Sequence, residues 1–154
     1  MTPCFDLIAR LKEQKKTSAT AESCTGGGIG SALTAVPGSS EVYKGGIISY
    51  TNEIKTRLLG VPQTLLQEQG AVSETVACAM AQGARKVLQT DVAISVTGLA
   101  GPGGDEYGNP VGTVFIGIAD ESGVKAKKFL FPGNREQVRG AAVEAAIKMA
   151  LETV

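Results

Sequence analysis

The feature that most constrains the fold is a nearly all-apolar run at residues 91–97, DVAISVT. A strand that is apolar on both faces has to be covered on both faces, which is typical of a central strand in an α/β sheet. Segments with helical periodicity precede and follow it, so we expect helices on both sides of the sheet. A chain of 154 residues is close to the usual size of one domain. Because no linker or repeat divides it, we predict a single domain over residues 1–154.

The predicted fold class is α/β, a three-layer α/β/α sandwich with a mixed, mostly parallel sheet of about five strands. Strands are predicted at residues 17–21, 46–50, 91–97, 112–119 and 124–131. Helices are predicted at residues 3–16, 25–36, 52–60 and 73–89, in a short segment whose first turn Pro62 opens, and from Asn134 through Leu151. Asn52, Ser73 and Asn134 are the expected N-caps, the last in a capping box with Gln137. The sequence DESG predicts a hairpin that supplies the antiparallel strand.

The chain contains no histidine. This excludes Ser-His-acid triads, Cys-His dyads and histidine-ligated metals together, so an enzyme with this sequence needs another base. Fifteen basic residues balance fifteen acidic ones, and a chain without net charge lacks the basic surface typical of proteins that bind nucleic acid or anionic membranes. We therefore expect a small-molecule substrate and no nucleic-acid or membrane partner.

The three cysteines, Cys4, Cys24 and Cys78, are widely spaced and form no CxxC motif. This pattern indicates neither a disulfide framework nor a zinc site, and it fits a reducing cytoplasm. The amino terminus lacks the apolar block of a signal peptide, and no apolar run approaches the ~18 residues that cross a bilayer. We expect a cytoplasmic protein that is neither exported nor membrane-spanning.

Two segments carry candidate catalytic groups. In TAESCTGGG, residues 20–28, Ser23 stands between a strand and a glycine-rich helix start, where N–H groups can stabilise an oxyanion or bind phosphate. The structural alternative is a serine that only caps the helix. In GGIISYTNEIK, residues 45–55, Lys55 could act as a general base if burial lowered its pKa. The alternatives are a solvated Lys55 and a core Tyr50.

Two further segments are candidate ligand contacts. A long glycine-rich loop, residues 98–110, follows the apolar strand, at the sheet edge where α/β proteins usually bind ligands. Arg135 and Arg139 lie one turn apart at the start of the last helix and could clamp a phosphate. A mobile surface loop and two solvated arginines would give the same patterns.

Taken together, these segments resemble the CinA carboxy-terminal domain family, also known as nicotinamide-nucleotide amidase or nicotinamide mononucleotide deamidase. The similarity covers nearly the whole chain and includes AESCTGG at 21–27, PGSS at 37–40, GGIISYTNEIK at 45–55, TGLAGPGG at 97–104 and PVGTV at 110–114. The resemblance implies the three-layer fold, hydrolysis of the carboxamide of nicotinamide mononucleotide, and no metal or organic cofactor. It also suggests a homodimer.

By the same resemblance, Ser23 is the nucleophile, Lys55 the general base and Tyr50 an assisting hydroxyl. Backbone N–H groups near residues 24–26 are expected to hold the oxyanion. The full substrate-binding set expected is Cys24, Thr25, Gly26, Gly27, Ser39, Thr97, Gly98, Gly101, Gly103, Arg135 and Arg139. The chain departs from the family in its long loop, where Asp105 stands at a position that is commonly glycine and Asn109 where lysine is common.

Two other interpretations remain open at this stage. Cys24 could be the nucleophile instead, because a thiolate beside a helix N-terminus is activated without histidine. Alternatively, the chain could be a nucleotide-binding or regulatory module that keeps the pocket without catalysis.

Overall fold

A computed structural model describes residues 2–154 and contains one five-stranded sheet in the order β2-β1-β3-β4-β5. The strands are β1 (Ser18–Glu22), β2 (Tyr43–Ile48), β3 (Val92–Gly98), β4 (Thr113–Asp120) and β5 (Gly123–Leu130). Strand β1 pairs in parallel with β2 and β3, and β4 pairs antiparallel with β3 and β5. Four strands therefore point the same way, and β4, a member of the predicted hairpin, is the antiparallel one.

Six helices cover the two faces of this sheet: α1 (Thr2–Gln14), α2 (Gly28–Thr34), α3 (Asn52–Leu59), α4 (Gln63–Gln69), α5 (Glu74–Leu88) and α6 (Arg135–Thr153). The larger apolar core joins the sheet to α1, α2 and α6, and the smaller one joins it to α3, α4 and α5. Every residue from Val92 to Thr97 is buried, because β3 lies in the middle of the sheet between these layers. The predicted three-layer α/β/α fold is confirmed. None of the helices in residues 2–154 combines the length and apolar character needed to cross a bilayer.

Several predicted boundaries were wrong. Helix α2 begins at Gly28 instead of residue 25, because Gly26 and Gly27 have φ values of 59° and 101°, outside the helical region. Strand β2 covers Tyr43–Ile48 instead of 46–50. Its two glycines weaken the strand pattern, and pairing with β1 sets its length.

The N-caps are partly as predicted. Thr51, one residue before the predicted cap Asn52, accepts a hydrogen bond from the N–H of Ile54 and so caps α3. Pro62 precedes the first residue of α4 instead of lying inside its first turn. Ser73 caps α5, and Asn134 forms the predicted capping box at the start of α6.

The topology fixes where a ligand site can form. Because β1, β2, β3 and β5 run in the same direction, their carboxyl ends lie at one edge of the sheet. The segments that follow these strands contain the glycine turn at 23–28, Lys55, the long loop and the start of α6. Ligands of α/β sheets usually bind at this edge.

Candidate active site

Ser23 lies directly after β1 with its side chain almost fully buried. Its N–H donates to the carbonyl of Val96, so the backbone is held against β3. Side chains of a strand alternate between the two faces. Ala19 and Ala21 face the α3–α5 layer, Glu22 faces α2, and Ser23 again faces the α3 side. The end of the strand thereby aims Ser23 at Lys55.

Lys55 is one of the largest fully buried side chains in the described part of the chain, with 1% of its surface exposed. Helix α3 places its Nζ 3.1 Å from Ser23 Oγ, 2.9 Å from the carbonyl oxygen of Ser49 and 3.3 Å from that of Tyr50. A neutral amine has two N–H groups and one lone pair. Two carbonyls can accept the two N–H bonds, which leaves the lone pair for the proton of Ser23.

The setting of Lys55 favours this neutral form. Burial in a low-dielectric environment lowers its pKa from 10.5 to about 8, and nearby Cys24 opposes this shift. About a tenth of the lysine is therefore neutral at pH 7. The position of Nζ and the lowered pKa of Lys55 are both of the kind that a general base requires.

Cys24 is a poor nucleophile in this environment. The side chain is 5% exposed, and burial raises the pKa of its thiol to about 11 despite its own N–H and the positive charges of Arg139, Lys55 and Arg135. The thiolate is the nucleophilic form of cysteine. At neutral pH nearly all of Cys24 is protonated, which weighs against its use as the nucleophile.

A cavity of about 310 Å³ opens over Ser23 and Lys55. Its inner end holds these two side chains, and Tyr50 and Arg135 stand at its mouth. The remaining lining residues are Cys24, Asn52, Ala71, Val72, Thr97, Gly98, Leu99, Ala100, Gly101 and Gly103. Larger surface grooves exist elsewhere, but they contain neither Ser23 nor Lys55.

Tyr50 is placed differently from the expectation of an assisting hydroxyl. Its side chain is 60% exposed, and its hydroxyl accepts a hydrogen bond from Arg135 Nη2 at 3.2 Å. The hydroxyl makes no hydrogen bond to Ser23 or Lys55. Tyr50 contacts Lys55 through its backbone carbonyl. The geometry therefore does not support a proton route through the Tyr50 hydroxyl.

The two arginines of α6 do not form a clamp. Arg135 spans the mouth of the cavity, donating from Nη1 to the Gly101 carbonyl at 2.6 Å and from Nη2 to the Tyr50 hydroxyl. Arg139 donates from Nε to the Cys24 carbonyl at 2.9 Å and from Nη2 to the Thr25 carbonyl at 3.3 Å. Because Arg139 is bound to the turn and does not line the cavity, only Arg135 is positioned to meet a ligand.

The other predicted contacts divide in the same way. Thr97, Gly98, Gly101 and Gly103 line the cavity, but Thr25, Gly26 and Gly27 belong to the turn behind it. Ser39 lies in a short 3₁₀ helix before β2 and lines a separate surface depression. The structure does not bring Ser39 to the site.

Hydrogen bonds inside the glycine turn limit which N–H groups can bind an oxyanion. The N–H of Gly26 donates to the Ser23 carbonyl at 3.1 Å, and those of Ile29 and Gly30 donate to the Glu22 carboxylate. The N–H groups of Cys24 and Thr25 donate to no other residue in the described part of the chain. Of the three N–H groups expected to hold the oxyanion, those of Cys24 and Thr25 remain available.

Sequence reasoning missed Glu22 as well as the wall residues Ala71, Val72 and Leu99. A carboxylate at the end of a short strand of small residues, directly before the candidate nucleophile, was a signal that the sequence offered. Ala71 and Val72 carried none, because an apolar residue in a connection between helices looks the same on any surface. Asp105 and Asn109 lie outside the cavity and bond to each other at 2.8 Å.

Within residues 2–154, no three His, Cys, Asp or Glu side chains lie close enough together to hold a metal ion. The residues that converge on the cavity offer a hydroxyl, an amine and backbone amides. These groups can support acyl transfer by a serine and a lysine.

The chain is similar to known proteins over most of its length. Residues 5–154 match the model of the CinA C-terminal domain. A CinA-like protein of Geobacter metallireducens is 53% identical over 133 residues, which are 86% of this chain and 32% of that protein. A CinA-like protein of Gemmatimonas aurantiaca is 50% identical over 92% of this chain and 33% of its own length. The chain thus spans about a third of the length of these curated relatives.

Solved structures of related proteins are similar over most of their length. A CinA superfamily protein of Escherichia coli superposes with a TM-score of 0.97 at 36% identity, covering 99% of this chain and 88% of that one. A competence/damage inducible protein of Agrobacterium tumefaciens, CihA, has a TM-score of 0.93 at 37% identity, with 98% and 94% covered. The chain belongs to the CinA C-terminal domain family.

Proposed function

We propose that this domain is an amidohydrolase that converts nicotinamide mononucleotide to nicotinate mononucleotide and ammonia in the cytoplasm, with Ser23 as nucleophile and Lys55 as general base. The observation that carries the proposal is the buried pair itself. Lys55 Nζ lies 3.1 Å from Ser23 Oγ at the inner end of a cavity, with a pKa lowered by burial to about 8.

Acylation begins when Lys55 takes the proton of Ser23 as Oγ attacks the carboxamide carbon. The carbonyl π electrons move to oxygen, and a tetrahedral intermediate forms. Lys55 then returns the proton to the amide nitrogen, the C–N bond breaks, and ammonia leaves. Ser23 is left as an ester of the nicotinate group.

Deacylation uses the same base. Lys55 removes a proton from water as the water oxygen attacks the ester carbon, and the second intermediate collapses by breaking the bond to Oγ. Ser23 recovers its proton from Lys55, so one water is consumed for each ammonia released. The carbonyls of Ser49 and Tyr50 hold the amine in one position through both steps.

The oxyanion of both intermediates needs preorganised donors. The N–H groups of Cys24 and Thr25 are the unpaired donors next to Ser23. In the trans peptide between them, the Thr25 N–H points opposite to the Cys24 carbonyl, which Arg139 holds. Arg139 thereby fixes the orientation of one of the two donors.

The cavity also suggests how the substrate lies. At about 310 Å³, it is near the lower end of ligand pockets, which span roughly 300–1,000 Å³. It suits the pyridine carboxamide, while ribose and phosphate extend outward. Arg135 is the charged side chain at the mouth, and its guanidinium can bind phosphate oxygens.

The test is ammonia release from nicotinamide mononucleotide, with free nicotinamide and nicotinamide riboside as comparison substrates. We expect turnover of the nucleotide, and a rise in KM of about tenfold or more in Arg135→Ala for the nucleotide but not for the riboside, which lacks the phosphate. Binding without turnover would favour a non-catalytic module. Turnover retained in Ser23→Ala but abolished by iodoacetamide would favour Cys24.

A further inference from the structure

Glu22 is a buried carboxylate that the reaction described above does not use. Only 2% of the residue is exposed, although the side chain lies beside the nucleophile in sequence. A buried carboxylate is costly unless several donors satisfy it. The groups that donate hydrogen bonds to the Glu22 carboxylate therefore indicate its role.

Three donors converge on this carboxylate. Oε1 accepts from Thr25 Oγ1 at 2.7 Å and from the N–H of Ile29 at 2.9 Å, and Oε2 accepts from the N–H of Gly30 at 2.9 Å. Thr25 lies within the glycine turn, and Ile29 and Gly30 follow it in α2. The side chain of Glu22 therefore ties the turn that carries Ser23 to the first turn of α2.

The backbone of Glu22 is linked to Lys55 through hydrogen bonds of Ser49. The Glu22 carbonyl accepts from the N–H of Ser49 at 2.7 Å, and the Ser49 carbonyl accepts from Lys55 Nζ at 2.9 Å. Glu22 is thus bonded to the segment that holds the base and to the segment that holds the nucleophile.

We propose that Glu22 is a positioning residue that sets the glycine turn so that Ser23 meets Lys55 and the N–H groups of Cys24 and Thr25 stay free. This inference rests on the proposed function. By binding the N–H groups of Ile29 and Gly30, the carboxylate removes the helix N-terminus as an anion site. The substrate's oxyanion is left with the two donors nearest Ser23.

The first test is steady-state turnover of nicotinamide mononucleotide by Glu22→Gln and Glu22→Ala. The amide of glutamine has one acceptor oxygen in place of two, so it restores part of the network. We expect kcat to fall about tenfold in Glu22→Gln and about a hundredfold in Glu22→Ala, with KM within about twofold, because misplacing a reacting group by ~1 Å costs about that much. Equal kcat in both variants and the parent would overturn the proposal.

A milder variant covers the case in which these proteins do not fold. Thr25→Val keeps the shape of the side chain but removes the donor to Oε1, and we expect kcat about threefold to tenfold lower with an unchanged circular dichroism spectrum. Ser95→Ala is the matched control, since it removes another buried hydroxyl bond, 2.6 Å to the Ala77 carbonyl, away from the cavity. A similar loss of melting temperature in both, with kcat reduced only in Thr25→Val, supports positioning. Equal kcat losses would reduce Glu22 to a purely structural role.

A second readout separates this proposal from the proposed function. A fluorophosphonate probe labels activated serines without any nicotinamide substrate, and mass spectrometry locates the label. Labelling of Ser23 in the parent, about tenfold slower in Glu22→Gln, supports the role of Glu22 even if nicotinamide mononucleotide is not turned over. Parent-rate labelling in Glu22→Gln would overturn it, while absence of labelling in the parent would overturn the Ser23 nucleophile first.

Discussion

The molecule contains two glycine-rich segments, residues 23–28 and residues 98–110, whose composition is similar but whose structures differ. The first is short, and its Ser23, Cys24 and Thr25 are buried. Glu22 binds it from one side and Arg139 from the other. It is a tightly bound turn whose backbone path requires the positive φ angles of Gly26 and Gly27.

The second segment is long and mostly exposed from residue 101 onward. Two side chains anchor the second half of this segment: the Tyr107 hydroxyl donates to the Gln67 carbonyl at 2.8 Å, and Asn109 Nδ2 donates at 3.1 Å to the carbonyl of Val72, a residue of the cavity wall. Its beginning, at Gly98 to Gly103, forms a wall of the cavity. A glycine-rich composition is therefore compatible with a turn that holds a reacting group and with a loop that forms a wall of the cavity.

The largest effects are expected on the side of the tightly bound turn. Ser23→Ala and Lys55→Met should each lower kcat by about a thousandfold or more, because each removes a partner of the proton transfer. The double variant should lose little more than either single one, since residues that act as a unit are not additive. Ammonia release measures all three, with Lys44→Met, an exposed lysine of β2, as the control that keeps parent activity. A Lys55→Met enzyme with more than a tenth of parent kcat would contradict the assignment.

Lys55→Met should also stabilise the fold at neutral pH. A lysine with a pKa of 10.5 unfolded and about 8 folded costs roughly 3 kcal/mol below pH 8, less what its two carbonyl hydrogen bonds return. Between pH 8 and 10.5 the unfolded chain binds more protons, so the stability of the parent rises with pH. Urea unfolding should therefore show an advantage of Lys55→Met at pH 7 that shrinks by pH 10. An advantage that grows with pH would refute this account.

The pH dependence of kcat/KM tests whether the titrating group is Lys55 of α3 or Cys24 of the glycine turn. Since Lys55 acts in its neutral form, kcat/KM should rise about tenfold per pH unit at low pH and level off above its pKa of about 8. The same rising limb should persist in Cys24→Ala. A limb that still climbs at pH 10 in the parent and disappears in Cys24→Ala would assign the titration to the Cys24 thiol, whose pKa is about 11.

A matched pair of glycine substitutions compares the two segments directly. Gly26 and Gly108 have φ values of 59° and 87°, so alanine at either position should cost ~1–2 kcal/mol of stability. A Cβ at Gly26 would lie 3.3 Å from Arg139 Nη2, and one at Gly108 would contact nothing within 4 Å. We expect kcat to fall about tenfold in Gly26→Ala and to stay within about twofold in Gly108→Ala. Equal losses of activity would erase the distinction between turn and loop.

The fold could be read from the sequence because it follows from local patterns that agree with one another. The all-apolar β3, the DESG hairpin and the Asn134 capping box each predicted the element that formed. Boundaries failed where glycine removes the local signal, at the start of α2 and in β2. There, pairing with β1 and the φ values of Gly26 and Gly27 decide the structure.

The candidate site was predictable in its chemistry but less so in its geometry. The absence of histidine called for another base, and the resemblance to the CinA family named Ser23 and Lys55, two residues that the structure brings together. The roles of Arg135 and Arg139 could not be separated, because one helical turn determines which carbonyl each guanidinium reaches. Ser39 could not be excluded from its motif alone, since its distance from the cavity depends on where β2 enters the sheet.

The smallest expected effect lies in the long loop. Tyr107→Phe removes the hydroxyl that donates to the Gln67 carbonyl but keeps the ring that packs on Gly70. The loss of one partly exposed hydrogen bond should lower stability by about 0.5–1 kcal/mol. Because the loop forms a wall and holds no reacting group, KM should rise about twofold to threefold with kcat unchanged, and faster amide exchange should be confined to residues 101–110. A fall in kcat as large as that of Gly26→Ala would mean that the loop positions the reacting groups as the turn does.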